Sequence, residues 1–205
     1  MAKTTGKPFK QKIRIRSLRI VSVLVVLPLM LFTRPLWEAG WPRDITRLLG
    51  TLLIVAGVLG RFWAILYIGA RKNKEVMQDG PYSVCRHPLY LSSTLGVAGL
   101  GFLLGGAVSA AVMTALVFTI LNLTAGREEA FLRQEFGAAY DGYAAKVPRI
   151  LPRLSLFHTS SQITIQLAAL KMTYRDALVF LGFFPLAVVI DWIRSSGLLP
   201  MYVLP

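Results

Sequence analysis

The sequence predicts an all-α, polytopic membrane bundle of about five transmembrane helices, with cytosolic and interfacial helices attached. Three observations predict it. Of 205 residues, 55% are hydrophobic and only 16% charged, whereas a soluble domain carries about 25% charged residues. The mean hydropathy is +0.57, and the apolar residues gather into runs that approach the roughly 20 residues needed to cross a bilayer. The formal charge is +13, and seven of the 23 basic residues lie between Lys3 and Arg19, at the edge of the first apolar run. One membrane domain over residues 1–205 accommodates all three.

Residues 1–17 form a basic arm, and Leu18–Thr33 is the first span, with Pro28 inside it. No small-residue cleavage site follows Leu31, so this run is expected to stay as an anchor. Thr33-Arg34-Pro35 reads as a turn, and Arg34–Asp44 as a loop whose Trp37 and Trp41 suit the interface. Ile45–Gly69 is the second span, interrupted by Arg61, and Arg71–His87 is a charged connector. Pro88, a favoured residue at the first helical position, opens a third run to Leu104. Gly105-Gly106 then turns the chain, and Ala107–Leu123 returns beside it as an antiparallel hairpin. Arg127–Tyr143 keeps helical spacing through Phe131, Phe136, Tyr140 and Tyr143 while becoming polar, so it leaves the membrane. Val147–Pro152 breaks that helix. Ser155–Leu170 is too polar to span and is expected in the interface, as a lid. Ala177–Ile193, containing Pro185, is the last span.

Charge asymmetry orients this bundle. Arg71–Arg86 holds four basic residues and Arg127–Arg175 seven, against two in Arg34–Asp44 and one past Ile193. The basic connectors, and with them the amino terminus, are expected on the cytoplasmic side. Anionic headgroups there account for the charge, and the interleaved basic and aromatic pattern of a nucleic-acid binder is missing. Cys85 is the single cysteine, which rules out an intrachain disulfide and a thiolate metal cluster. It reads as a small packed residue rather than a nucleophile, with no base in sight beyond His87. His158 has no second histidine at ligand spacing, and no metal is expected. Gly96, Gly99, Gly101, Gly105 and Gly106 follow no strand, so they read as helix-packing residues rather than a nucleotide loop.

The chemistry-bearing residues stand where apolar runs meet charged ones. Arg86 and His87 precede a helix start whose free N–H groups favour an anion, and Tyr90, three residues beyond His87, shares its side. The same pattern also fits a membrane-edge anchor. Gly80-Pro81-Tyr82 is a turn signature that permits a close backbone approach. Glu128 and Glu129 point about 100° apart on one helix, so they divide roles rather than share a proton. The plain alternative is a solvated helix with a Glu129–Arg133 pair. Arg61, inside a span, calls for a partner or a wet cavity and could neutralise an anionic headgroup.

Gly80-Pro81-Tyr82, Arg86-His87-Pro88-x-Tyr90, Glu128-Glu129, Phe136-Gly137-x-x-Tyr140-x-x-Tyr143 and Val147-Pro148-Arg149, in that order, resemble the isoprenylcysteine carboxyl methyltransferase superfamily, which includes phospholipid methyltransferases. The match covers roughly residues 60–152; residues 153–205 lie beyond it. The resemblance implies a multi-span helical enzyme using S-adenosylmethionine, with a lipophilic acceptor entering from the bilayer and no metal. It implies that Gly80, Pro81, Tyr82, His87, Pro88 and Tyr90 enclose the cofactor with Glu129. It implies that Arg86, Glu128, Glu129 and Arg149 serve catalysis, with Arg61 and Arg149 toward the acceptor. Ser92 departs from the pattern, standing where many relatives have glycine. Two other classes stay open: a small transporter, which would need ionisable groups deep in several spans, and a scaffold that uses both motifs as anchors.

Overall fold

The computed structural model describes residues 40–69, 75–163, 165, 167–196 and 202–204, together with Ile20, Leu24, Val25, Pro28 and residues 32–35. The basic arm and most of the expected first span, Leu18–Thr33, lie outside the described residues. The first long helix, α1, runs Trp41–Ile68 and carries Pro42 in its first turn, four residues earlier than the hydropathy placed it. Pro81–Val84 is a single turn, α2. Helical structure is then continuous over Pro88–Phe136 except at Gly106, whose φ of 80° and ψ of −166° interrupt it. The two arms are α3, Pro88–Leu104, and α4, Gly106–Phe136. Ala138–Lys146 is α5, followed by a 3-10 turn at Leu154–Leu156. The chain closes with α6, Leu167–Leu181, and α7, Phe183–Ser195.

Three helical stretches are long and apolar enough to cross a membrane: Trp41–Ile68, Gly106–Phe136 and Thr173–Arg194. The fourth apolar helix, Pro88–Leu104, is shorter. The apolar window of α1 is only 22% buried inside the protein, with Ile45, Leu48, Leu52 and Leu59 exposed. Such an apolar outer face belongs against lipid tails rather than water. Two expectations at the ends are corrected. Thr33–Pro35 is not a turn but a strand, β1, paired in parallel with β2, Tyr202–Leu204. The last span starts at Thr173 rather than Ala177, because helix α6 begins at Leu167 and takes in the end of the segment expected in the interface.

The bundle is held by the helical hairpin and the helix it crosses. A Cβ on Gly101 would collide with the Ala110 backbone, which a straight helix would place roughly 13 Å away. The chain therefore reverses at Gly106, where a positive φ is cheap only for glycine. Down the hairpin, Leu100 and Leu104 meet Met113, and Tyr90 meets Val117, Leu121 and Ala125. Across the hairpin, α1 and α3 approach at backbone distance. A Cβ on Gly57 would lie 2.7 Å from the Ser92 carbonyl, and one on Gly99 would lie 2.5 Å from that of Gly50. The small residues serve close helix packing, as expected, where apolar surface alone cannot discriminate helix from lipid. Phe180 of α6 fills the notch at Gly96, and Ala187 and Ile190 of α7 pack on Leu100 and Leu104.

Candidate active site

The antiparallel register of the hairpin sets the start of α3 beside the outer part of α4. His87 Nε2 thus lies 3.1 Å from Glu129 Oε1, 42 residues away in sequence. Glu129 is 1% exposed. Arg149 binds it through two donors, Nε to Oε1 at 3.0 Å and Nη2 to Oε2 at 2.8 Å. Arg86 Nη1 approaches Oε1 at 3.1 Å. Two guanidiniums and an imidazole thus surround one buried carboxylate, which needs such partners to remain charged away from water.

Backbone pairing aims these side chains. The N–H groups of Arg86 and His87 donate to the carbonyls of Pro148 and Arg149 at 2.9 and 3.1 Å, and the Arg153 N–H donates to Val84 at 2.9 Å. This strip brings Arg149 to the carboxylate from the segment after α5. Arg149 Nη1 also reaches Asn122 Oδ1 at 3.4 Å. Asn122 was not singled out from the sequence. The available signal was a lone amide in an apolar run, two helical turns before Glu129 and so on its face.

Glu128 takes a different position. It is partly exposed, with Oε2 3.9 Å from His87 Nδ1. The imidazole therefore stands between the two carboxylates, and its ring stacks on Tyr90 at 5.3 Å with 3° between planes. The solvated-helix alternative does not hold for Glu129. Arg133 turns instead to Asp141 Oδ1 at 3.1 Å and lies over the Tyr140 ring.

The Gly80-Pro81-Tyr82 turn borders the cluster. Gly80 has φ 58°, and a Cβ there would strike the Tyr67 ring, so its close approach is to an aromatic side chain of α1. The Gly80 carbonyl accepts from Ser83 Oγ at 2.7 Å, and the Tyr82 carbonyl from the Tyr143 hydroxyl at 2.7 Å. A strap over residues 157–160 lies on this turn: Gly80 N–H donates to the His158 carbonyl at 2.9 Å, and Tyr67 and Thr159 hydroxyls meet at 2.8 Å. Pro88 is buried at the first turn of α3. Arg61 reaches that helix at Ser93 Oγ, 2.8 Å, one turn beyond Tyr90.

Burial and neighbouring charge shift the titration of four groups around the cluster. The ion pair with Glu129 raises the proton affinity of Arg149 further, so it is a permanent cation. Burial pushes up the Tyr82 phenol, with the Tyr143, Cys85 and Glu128 groups adding to it, and burial likewise raises Tyr140. Both are neutral donors. Burial also lifts the Cys85 thiol from 9.0 to about 11. A thiol so protected is a packed residue rather than a nucleophile. Among the described residues, Arg86 Nε and the Tyr82 hydroxyl are buried with no hydrogen-bond partner, and the Tyr140 hydroxyl, also without a well-aligned bond, has the Arg86 guanidinium beside it. Orphaned buried donors are rare in folded proteins and mark a place for a polar ligand or water. Among the described residues, no three His, Cys, Asp or Glu side chains gather at metal-ligand spacing.

A family model described as phospholipid methyltransferase matches residues 45–139. Two bacterial proteins align along nearly the whole chain. The nickel-cobalt-cadmium resistance protein NccN of Alcaligenes xylosoxydans xylosoxydans is 33% identical over 96% of this chain and 91% of its own length. The cobalt-zinc-cadmium resistance protein CzcN of Cupriavidus metallidurans is 34% identical over 93% of this chain and 88% of its own. The protein-S-isoprenylcysteine O-methyltransferase of Schizosaccharomyces pombe is 31% identical over 42% of this chain and 37% of its own. No solved structure matches. The family match spans the hairpin that carries Arg86, His87, Tyr90, Glu128 and Glu129. The chain belongs to the superfamily of membrane methyltransferases that contains the isoprenylcysteine carboxyl and phospholipid enzymes.

Proposed function

We propose that the chain transfers a methyl group from S-adenosylmethionine to a lipophilic acceptor at the cytosolic face of the membrane. The observation that carries this reading is the buried Glu129 carboxylate ringed by Arg86, His87 and Arg149, at the end of an apolar hairpin. The residues fit the cofactor. Arg86 and Arg149 suit its amino-acid carboxylate, and the buried Tyr82 and Tyr140 hydroxyls and Arg86 Nε suit its polar groups. His87, Tyr90 and the Gly80–Tyr82 turn would form the wall. When bound, S-adenosylmethionine supplies an electrophilic methyl group for in-line displacement, a reaction that depends on alignment rather than a covalent enzyme intermediate.

The chain's own contribution is then orientation and charge. Both Glu129 oxygens are taken by cations, so Glu129 acts as a positioning residue that fixes the forks of Arg86 and Arg149. Glu128 keeps a partly exposed carboxylate beside the His87 ring and would be the group that meets an amine or hydroxyl on the acceptor. Arg61 and the outer edge of Arg149 favour an anionic acceptor such as a prenylated cysteine carboxylate or a thiolate, whereas a lipid amine would call on Glu128. The methyltransferase family supplies the coarser class, transfer to a lipid-like acceptor. The names of NccN and CzcN suggest that the product matters in cells under nickel, cobalt or cadmium load.

Calorimetric titration of the detergent-purified protein with S-adenosylhomocysteine tests the reading. Wild type should release binding heat, and His87→Ala should lose it while keeping its helical content. Folded wild-type protein that gives no heat would overturn the cofactor assignment. Labelled methyl appearing in total lipid only when the protein is present would then identify the acceptor.

A further inference from the structure

Helix α1 carries one apolar stripe along its outside. Ile45, Leu48, Leu52, Val55, Leu59 and Trp63 recur every three or four residues and all are exposed, the spacing of a single helix face. Trp41 and Trp63 lie about 33 Å apart along the helix at 1.5 Å per residue, close to the roughly 30 Å of a bilayer's hydrocarbon core. Tryptophan favours the two edges of that core. Trp63 marks the edge nearer the Glu129 cluster, because its neighbours Arg61 and Tyr67 meet Ser93 and Gly80.

The stripe does not stop at the end of the helix. Trp63 packs on Phe157, with ring centroids 6.0 Å apart, in the loop between α5 and α6. That loop divides its apolar residues between two sides. Ile150 is buried and Leu156 packs against Tyr140, Tyr143 and Val147, whereas Leu151 is 77% exposed, Leu154 75% and Phe157 51%. The 3-10 turn Leu154–Leu156 has a period of three residues, which sets Leu154 and Phe157 on one side. Hydrogen bonds fix the backbone that presents them. The Arg153 N–H donates to the Val84 carbonyl at 2.9 Å, and the Leu156 and Phe157 N–H groups donate to Arg153 and Leu154 at 3.1 and 3.0 Å. Single exposed leucines are ordinary, but large apolar side chains fixed on a turn and continuous with a lipid-facing helix form a patch.

We propose that residues 151–157 form a wedge seated in the bilayer leaflet nearest the Glu129 cluster, with Leu151, Leu154 and Phe157 reaching past the headgroups to the first carbons of the acyl chains. Lipid is the occupant because the patch continues a surface that already faces lipid, at the depth that Trp63 marks. The paired N–H groups of the turn suit a place with little water. Arg153, exposed between Leu151 and Leu154, has the length to keep its guanidinium among the headgroups while its neighbours enter. The wedge links two parts of the site: Arg149 lies just before it, and His158, just after it, bonds Gly80 and Ser83. It therefore holds the Glu129 cluster at headgroup depth, where the polar end of a lipid lies. This placement stands whether or not the cluster binds S-adenosylmethionine.

Spin labelling of the full chain in phosphatidylcholine vesicles tests the wedge. In a Cys85→Ala background, nitroxides attached at Leu151→Cys and Leu154→Cys should collide more with dissolved oxygen, which concentrates in the bilayer, than with a water-soluble nickel chelate. A nitroxide at Gly142→Cys, on α5 with open space around it, should show the reverse. Chelate-dominated collisions at position 154, matching those at 142, would overturn the wedge and leave the loop in water. Protection from both reagents would overturn it as well, by showing that a protein segment or a second copy covers the patch. Should a label perturb the loop, the unmodified wild type decides the matter in vesicles containing a phosphatidylcholine with a diazirine near the glycerol end of its acyl chain. Crosslinks at Leu151, Leu154 or Phe157 are expected alongside those at Trp63, and crosslinks confined to α1 would sink the proposal.

Discussion

Glu129 is the residue on which the cluster turns, because it is the one carboxylate that Arg86, His87 and Arg149 share. Glu129→Gln removes the charge and leaves two guanidiniums facing an amide. The variant should lose about 3 kcal/mol of stability, the lower end for breaking a buried pair, and bind S-adenosylhomocysteine at least about tenfold more weakly. Unchanged melting and affinity would place the working charge elsewhere. Cys85 offers the contrasting case. Its thiol ionises near pH 11 when folded and near 9.0 otherwise, so above pH 9 the unfolded chain gives up this proton before the folded one. Its contribution is complete below about pH 9 and is lost as the pH rises through 11. Cys85→Ala should therefore flatten the alkaline decline in stability relative to wild type, keep full turnover at pH 7.5, and match wild type in S-adenosylhomocysteine affinity. Most of these positions were legible as motifs: Arg86, His87, Tyr90, Glu128 and Glu129 all stand at run boundaries. Sequence spacing could not decide which glutamate turns inward, since adjacent residues differ by about 100° and the hairpin register makes the choice. Asn122 escaped for the same reason, as its partner Arg149 arrives from a loop 27 residues on.

The hairpin of α3 and α4 is the element that turns a linear motif set into a site. Its turn was legible in Gly105-Gly106, and the positive φ at Gly106 gives the glycine its physical reason. Gly106→Ala should cost about 1–2 kcal/mol through left-handed strain and lower the melting temperature without abolishing insertion. The crossing of α1 on α3 is less forgiving. A Cβ at Gly57 meets the Ser92 carbonyl at 2.7 Å and the Gly96 nitrogen at 2.8 Å, both backbone atoms that cannot rotate away. Gly57→Leu should push the helices apart, costing about 3 kcal/mol or more by overpacking, and shift Ser93 from Arg61. Binding of S-adenosylhomocysteine should fall with it; normal binding at normal stability would mean that α1 does not support the pocket. Element boundaries were harder to read than element types. Hydropathy starts α1 at Ile45, but Pro42 in the first turn lets the helix begin at Trp41. Ser155–Leu170 looked uniform in composition, yet its first residues lie as a strap on the Gly80 turn and its last enter a helix. Long-range hydrogen bonds make that division, and no local pattern encodes them.

At the scale of the whole molecule, two charged clusters terminate an apolar bundle, and they differ in kind. The end holding Glu129 joins opposite charges in close pairs, and Glu129 lies within the residues that the family model matches. The end holding Asp191 gathers, among the described residues, Arg43, Arg47 and Arg194 on one carboxylate. The all-helical class was readable because bilayer solvation forces backbone pairing within segments, and the lipid-facing surface of α1 follows from its low burial. Which end faces the cytoplasm is set by flanking charge rather than by packing. The seven basic residues of Arg127–Arg175 predict that α5 and the strap lie inside. Gly142 of α5 has open space where a side chain would stand, and Trp41 at the start of α1 is 74% exposed. In a Cys85→Ala background, Gly142→Cys should react with a membrane-impermeant maleimide only in inverted membranes, and Trp41→Cys only in intact cells made permeable at the outer face. The reverse pattern would move the Glu129 cluster to the outer face, away from any cytosolic S-adenosylmethionine, and labelling of both from one side would mean that α1 and α4 do not span.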